Sequence, residues 1–298
     1  MVNTRILEQR LGWRAGDGDT PEPPSRPLGH QAILQGRVDA GGRGPARVGS
    51  APRRRQRRVE ADETWETLAL VLDDIDRLEL TGTAPSISHK SLAGAAMDQL
   101  RTQLLRVMAE KGWRRIGITS PARGAGRSFV AAGLAASIAR LDTLRVLLID
   151  ADLEDPGLAR LLGLDASGPL EALLRGETAP EDHLCRIGAS LALALNAAPV
   201  RQAAERMMTP EALQALKAMI DSVAPEVVIH DLPPLINDPV SPTLLPQLDA
   251  VLLVADGMRS TAKDILECER LLEGQVPLLG VLLNKSEDRD PRTTRRRG

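Results

Sequence analysis

Tyrosine is missing from this 298-residue chain altogether, Phe129 is its one phenylalanine, and aromatic residues make up 1% of the sequence. So few aromatics leave no row of stacking platforms for bases, which argues against nucleic acid as a partner. The core must instead be built from Leu, Val, Ile and Ala. Cysteine is nearly absent as well. Cys185 and Cys268 stand alone, without His or Cys at ligand spacing, which excludes a disulfide framework and gives neither a zinc signature nor the setting of a nucleophile. No signal peptide is apparent, and no apolar run approaches the roughly 18 residues needed to cross a bilayer, so the expectation is a soluble cytoplasmic protein.

What is present suits a globular chain: the apolar fraction is 43%, and the length allows one sizeable α/β domain with extensions. Charge is unevenly placed. Residues 1–60 hold 12 Arg against 6 Asp and Glu, a net of +6, and the remaining 26 basic and 34 acidic residues leave −8. The first 60 residues are rich in Gly, Pro and Arg without a sustained apolar period, which predicts a disordered basic arm ending in Arg53, Arg54, Arg55, Arg57 and Arg58. Such a cluster is a solvated tail, a surface drawn to anionic lipid at about 1 kcal/mol per charge near the bilayer, or, as the third and weakest reading, a nucleic-acid contact. A second short basic tail is expected over 288–298. Between these ends, residues 61–111 read as a helical region with a linker. Trp65, Leu68, Leu70, Val71, Leu72, Ile75 and Leu78 predict an amphipathic helix over Asp62 to Leu80, and Leu92 to Lys111 predicts another.

The most informative stretch is Arg115 to Pro156, which reads as a buried strand, a glycine-bearing turn, a helix, and a second buried strand ending in carboxylates. That order is the phosphate-binding half of a P-loop protein. Gly124 and Gly126 let backbone N–H groups close on an anion, and the helix starting near Arg127 adds its positive end to the same point. A P-loop lysine would stand just before the Ser whose hydroxyl holds Mg²⁺. Here Arg127 takes the lysine's place before Ser128.

Beyond this unit, apolar runs at Val146–Ile149, Leu191–Leu195, Val227–Ile229, Ala250–Ala255 and Leu278–Leu283 alternate with helical patterns that include Pro210–Ser222 and Thr261–Glu273. Continuous apolar strands separated by helices predict a three-layer α/β fold, a mostly parallel sheet covered on both faces, over about residues 112–287. Ligands of such sheets sit at the carboxyl ends of the strands, where Asp150 and Asp231 fall. A nucleoside triphosphate needs Mg²⁺, and Mg²⁺ prefers a hydroxyl, waters and one or two carboxylates. Ser128, Asp150 and Asp231 are therefore the candidate ion ligands, Asp231 through water, with Asp150 also placed to orient or deprotonate an attacking group.

With these motifs in order, the chain resembles the P-loop tyrosine kinases of bacterial capsule and exopolysaccharide synthesis, within the MinD/ParA group of deviant-Walker ATPases. The family loop, like S-x-x-P-G-E-G-K-S-T, is matched by SPARGAGRSF from Ser120 to Phe129. The second motif is matched by LLIDADLEDP from Leu147 to Pro156, and the third by VIHDLPP with Asp231, followed by Asp238. Asp249–Val254 and Gly280–Asn284 complete the set, over about residues 90–287. The resemblance implies ATP and Mg²⁺ as cofactors. It implies a loop cradle of Gly124, Ala125, Gly126, Arg127, Ser128 and Phe129, a catalytic set of Arg127, Asp150 and Asp152, and Asn284 as a base contact. It also implies work at the cytoplasmic face of the inner membrane beside a membrane-spanning polysaccharide chain-length regulator, with possible homo-oligomers.

Departures from the family accompany the match. Arg127 replaces the loop lysine, Phe129 the second hydroxyl residue and Ala125 the usual Glu. Ala122 stands where the ParA branch carries its signature lysine. Of the family's ring-forming E-x-x-R-x-x-R helix only Arg101 survives, with Ala95 and Asp98 at the other positions. Without a tyrosine the chain has no acceptor for tyrosine autophosphorylation. A nucleotide-hydrolysing partner, a kinase acting in trans, a ParA/MinD-like positioning ATPase and a catalytically weak scaffold all remain open. Among lesser candidates, alternation points His230 to the face opposite Asp231, as a satisfied core histidine. Met207 and Met208 read as core. Arg123 is either a surface charge or a phosphate contact.

Overall fold

In the computed structural model, which describes residues 51–80, 90–166 and 168–285, eight strands form one sheet. They are β1 (Ala69–Leu72), β2 (Arg115–Thr119), β3 (Val146–Asp150), β4 (Cys185–Ile187), β5 (Leu191–Ala194), β6 (Val227–Asp231), β7 (Ala250–Asp256) and β8 (Leu278–Asn284). Their spatial order is β1-β4-β5-β3-β6-β2-β7-β8. Neighbours run parallel except β4, which is antiparallel to β5. Ten helices connect them: α1 (Ala51–Thr67), α2 (Leu92–Lys111), α3 (Arg127–Ala139), α4 (Leu158–Leu162), α5 (Leu170–Leu174), α6 (Pro180–His183), α7 (Ala203–Met207), α8 (Pro210–Val223), α9 (Ser241–Leu244) and α10 (Ala262–Leu272).

Strand alternation divides the core in two. Val146 and Leu148 of β3 face one apolar cluster, with Met97, Leu100 and Leu104 of α2 and Val130, Leu134 and Ile138 of α3. Leu147 and Ile149 face the other, with Trp65 of α1, Leu173 of α5, Leu216 and Met219 of α8 and Leu272 of α10. A period-2 strand buried on both faces needs apolar residues at every position, and β3, β6 and β7 are buried throughout. This is the expected three-layer α/β architecture. The central position of β2, between β6 and β7, puts the loop that follows it at the middle of the carboxyl edge.

The expected strands and the helices at Leu92, Pro210 and Thr261 appear within a residue or two of their predicted limits. The amino-terminal region differs. The helix expected over Asp62 to Leu80 begins at Ala51, inside the stretch expected to be disordered, and stops at Thr67; Ala69–Leu72 is a strand and Ile75–Arg77 a single 3-10 turn. The apolar row that suggested one stripe serves two cores. Trp65 and Leu68 bury themselves on the α8 face, while Leu72, Ile75 and Leu78 reach the α2 face. The chain turns around the edge of the sheet between them, and β1 pairs there with β4. Leu70 and Val71, counted in that stripe, are exposed. Residues 1–50, the linker at 81–89 and the tail from 286 lie outside the described residues. Met207 is core, but Met208 is 72% exposed and is not.

Trp65 is the anchor of α1. Its side chain is fully buried, its Nε1–H donates to the Ala189 carbonyl at 2.9 Å, and the Arg145 guanidinium lies 4.9 Å from the ring centroid. Arg145 in turn pairs with Asp62 of the same helix. Trp65→Ala is expected to cost about 3–5 kcal/mol in urea unfolding, the range for a buried large aromatic. Trp65→Phe, which loses chiefly the hydrogen bond, is expected to cost about 1–2 kcal/mol. Equal and small losses would mean that α1 does not depend on this contact.

Candidate functional site

β2 ends at Thr119, whose hydroxyl donates to the Pro233 carbonyl at 2.7 Å, tying the start of the loop to the segment after β6. The chain then turns through Gly124 and Gly126, at φ of +83° and +92°, before α3 begins at Arg127. At Gly126 a side chain is excluded twice over. The backbone is left-handed, and an added Cβ would lie 2.2 Å from Nδ2 of Asn284. That same Nδ2 donates to the Ala125 carbonyl at 2.9 Å, so the last strand braces the loop through Asn284. Lys285 adds a second brace: its Nζ donates to the Gly124 carbonyl at 2.5 Å and to Asp256, at the end of β7, at 3.1 Å. The start of α3 therefore meets a braced loop, and a helix amino terminus offers its free amides to an anion there.

Three carboxylates face this loop. Asp150 and Asp231 are register partners at the ends of β3 and β6. Asp150 accepts a bond from the Leu158 amide at 3.1 Å through Oδ2, while its Oδ1 is buried without a partner. Both oxygens of Asp231 are buried and unpartnered. The Ser128 hydroxyl lies close enough to favour the charged form of Asp231, yet outside hydrogen-bond geometry. Burial raises both carboxyls, Asp150 well above the usual carboxylate range and Asp231 to about 7, and the charge of Asp231 raises Asp150 further. Arg127 opposes the shift at Asp231. Orphaned oxygens of this kind suit a hydrated divalent cation. Among the described residues no three His, Cys, Asp or Glu side chains form a ready-made metal cage, and Mg²⁺ does not require one, because waters and phosphate oxygens complete its shell.

Asp152 is organised differently. Its carboxylate is the common partner of two guanidiniums: Arg127 Nη2 at 2.8 Å and Arg123 Nη1 at 2.9 Å. Burial raises its pKa, while Arg127 and Arg123 oppose the rise. Arg127 also donates to Ser120 Oγ at 3.1 Å, leaving its Nε buried and unpartnered. Its guanidinium is thus folded into the loop.

The structure brings together Gly124, Ala125, Gly126, Arg127, Ser128, Asp150, Asp152, Asp231 and Asn284, with Phe129 half-buried in the first turn of α3. Asp238 is used locally, accepting from the amides of Val240 and Ser241. His230 is buried as expected, but the expectation of a satisfied histidine fails: neither ring nitrogen has a partner. Burial first and Arg115 second hold it neutral, with a pKa lowered to about 3. Sequence reasoning missed Lys285 and Asp256, and left Arg123 undecided. The signal for the first two was present, since both are charged residues at the carboxyl ends of strands.

The buried aspartates make a pH-dependent prediction. A carboxylate whose folded pKa is raised costs stability as pH climbs from its ordinary range toward the folded value, and the full cost remains above it. His230 acts with the opposite sign over an overlapping window, its contribution being lost as pH falls below about 6.5, so the quantity to follow is the difference between variant and parent. In EDTA, Asp231→Asn is expected to gain on the order of 2 kcal/mol over the parent between pH 5 and pH 8. A pH-independent difference in urea unfolding would show that Asp231 is not charged at a cost.

Comparison with known proteins agrees with this geometry. Residues 116–296 match the family model described as the CobQ/CobB/MinD/ParA nucleotide binding domain. EpsB of Ralstonia solanacearum, named for a tyrosine-protein kinase, is 31% identical over 202 residues, which cover 67% of this chain and 26% of that protein. The chain therefore spans about a quarter of the length of this curated relative. Among solved structures, the kinase domain of the Escherichia coli tyrosine kinase ETK superposes with a TM-score of 0.56 at 26% identity, covering 66% of this chain and 77% of that one. The BceF tyrosine kinase domain does so with a TM-score of 0.56 at 27% identity, covering 65% and 78%. The chain belongs to the CobQ/CobB/MinD/ParA nucleotide-binding family, and within it is similar to proteins named as bacterial tyrosine kinases.

Proposed function

We propose that this chain binds Mg²⁺·ATP in the Gly124–Ser128 loop and serves exopolysaccharide or capsule assembly as a kinase-like ATPase. The observation that carries the reading is the pair of buried carboxylates beside the braced P-loop, Asp150 and Asp231, three of whose four oxygens have no partner among the described residues. The loop amides hold the phosphates, Ser128 and Asp231 hold the ion, the latter through water, and Asp150 orients the attacking group. Asn284 lies at the base end by resemblance. ATP supplies the phosphoryl group and Mg²⁺ offsets its charge. Calorimetry is expected to show Mg²⁺-dependent ATP binding that weakens at least about tenfold, or about 1.4 kcal/mol, in Asp231→Ala. No binding at millimolar nucleotide would refute the reading.

One observation favours a second reading, a nucleotide-binding scaffold with little turnover: the buried Arg127 guanidinium is already bound to Asp152 and Ser120. Arg127→Lys separates the two. Raised turnover marks a nearly intact catalyst, and unchanged turnover marks the scaffold.

The pathway follows from the relatives. Among the described residues no helix is long and apolar enough to cross a membrane, and the proposed partner is a membrane-spanning polysaccharide chain-length regulator at the cytoplasmic face, assisted by attraction of the arginine cluster to anionic lipid. Arg101, the survivor of the ring-forming motif, is spent within the chain, donating to the Ser137 carbonyl at 2.9 Å and to Asp98 at 3.1 Å. Assembly through that residue would require breaking these bonds. Affinity capture from native membranes with the full chain, and with residues 1–50 removed so that α1 stays intact, is expected to recover such a regulator. Recovery of a DNA-partition adaptor instead would support a ParA-like role.

A further inference from the structure

We propose that Arg123 is a second phosphate ligand of the loop, held by Asp152 in the nucleotide-free chain and taken over by the terminal phosphate of a nucleoside triphosphate. The inference rests on the nucleotide-binding reading above. Its starting point is that one buried carboxylate carries two guanidiniums of unequal freedom. Arg127 is 8% exposed, and Asp152 and Ser120 hold it within the loop. Arg123 is 42% exposed. Among the described residues, apart from Asp152 it reaches only Asp155 at 3.2 Å and, at 3.9 Å each, Glu154 and Asp238. Asp155 and Glu154 are themselves exposed, at 65% and 43%, and ion pairs of that kind are weak and screened.

The geometry places this guanidinium across three loops at the carboxyl edge of the sheet: its own, the one after β3 and the one after β6. Arg123 directly precedes Gly124, so its backbone belongs to the phosphate loop and only side-chain rotation is needed to turn the guanidinium inward. When it leaves, Asp152 keeps Arg127 at 2.8 Å and the buried Asp238, 3.9 Å from Arg123, keeps the amides of Val240 and Ser241, so neither carboxylate is left without a donor, which would otherwise oppose the exchange. The incoming phosphate offers more negative charge than a carboxylate and the paired oxygens that a guanidinium fork accepts. Asp152 thereby acts as a parking site for the cation that the loop needs only when the outer phosphate is present.

This assignment makes Arg123 a determinant of triphosphate over diphosphate, read by binding and not by turnover. In the full chain with Mg²⁺, calorimetry with a non-hydrolysable ATP analogue and with ADP is compared for the parent, Arg123→Gln and Arg123→Lys. Arg123→Gln is expected to lose about tenfold in affinity for the triphosphate analogue and less than about twofold for ADP, with Arg123→Lys recovering part of the loss. Thermal unfolding without nucleotide checks that the variants are folded; should Arg123→Gln fail, Arg123→Lys alone still tests the exchange, because a point charge without the fork is expected to weaken the triphosphate analogue selectively. Equal losses for both nucleotides, or none, with the parent binding both, would overturn the role of Arg123 and leave the nucleotide site standing. A parent that binds neither nucleotide would overturn both.

Discussion

The carboxylates of Asp150 and Asp231 end adjacent strands as register partners, both are removed from water, and three of their four oxygens have no hydrogen-bond partner. Desolvation on that scale is costly in a nucleotide-free chain, because the charged forms have lost their water and gained a single donor between them, the Leu158 amide on Asp150. The rest of the site can be read as a response to it. Helix α3 points its positive end at the same region, Ser128 offers a hydroxyl, and Arg127 lies close enough to lower the pKa of Asp231. None of these closes the deficit. A site that stores an unfavourable pair of charges is one in which binding a cation relieves strain already present, so affinity for the ion and fold stability are coupled.

Arginine in place of the loop lysine has a consequence specific to this surrounding. An ammonium is a compact point charge, whereas a guanidinium is a planar fork that demands partners in its plane. Arg127 finds them in Asp152 and Ser120, and the fork that satisfies these two draws the charge toward Asp152. Asp152 is then a structural counterion in the nucleotide-free chain before it can be anything else. Two arginines on one carboxylate leave the loop with an excess of positive charge, while neither arginine makes a hydrogen bond to Asp150 or Asp231 among the described residues.

The sequence made the sheet and most of the site legible because the decisive elements were local. Val146–Ile149 and Ala250–Ala255 are apolar without interruption, which only a strand buried on both faces explains, and Gly124, Gly126 and Ser128 lie within five positions of each other. What escaped was non-local. β1, at the sheet edge, and β4 beside it are strands of four and three residues, too short for periodicity, and the apolar row from Trp65 to Leu78 counts as one stripe until the chain is seen to pass around the sheet edge. Arg123 was undecidable because its partners lie 29 residues away at Asp152 and, at Asp238, on a third loop. The burial of His230 followed from alternation, but its lack of any partner depends on what packs across from it, which no period reveals.

The edge crossing at β1 also settles how the basic segment relates to the site. Trp65 and the Arg145–Asp62 pair fix α1 to the sheet, and the exposed Arg58, midway along it, pairs with Glu226, which immediately precedes β6. Arg145 likewise immediately precedes β3, so Arg57 and Arg58 of α1 lie at the amino ends of the strands. The phosphate loop, Asp150 and Asp231 lie at the carboxyl ends. Because the strands concerned are parallel, these two ends are opposite ends of the domain. A surface engaged through Arg57 and Arg58 and the proposed nucleotide entering past Arg123 would therefore not compete for space.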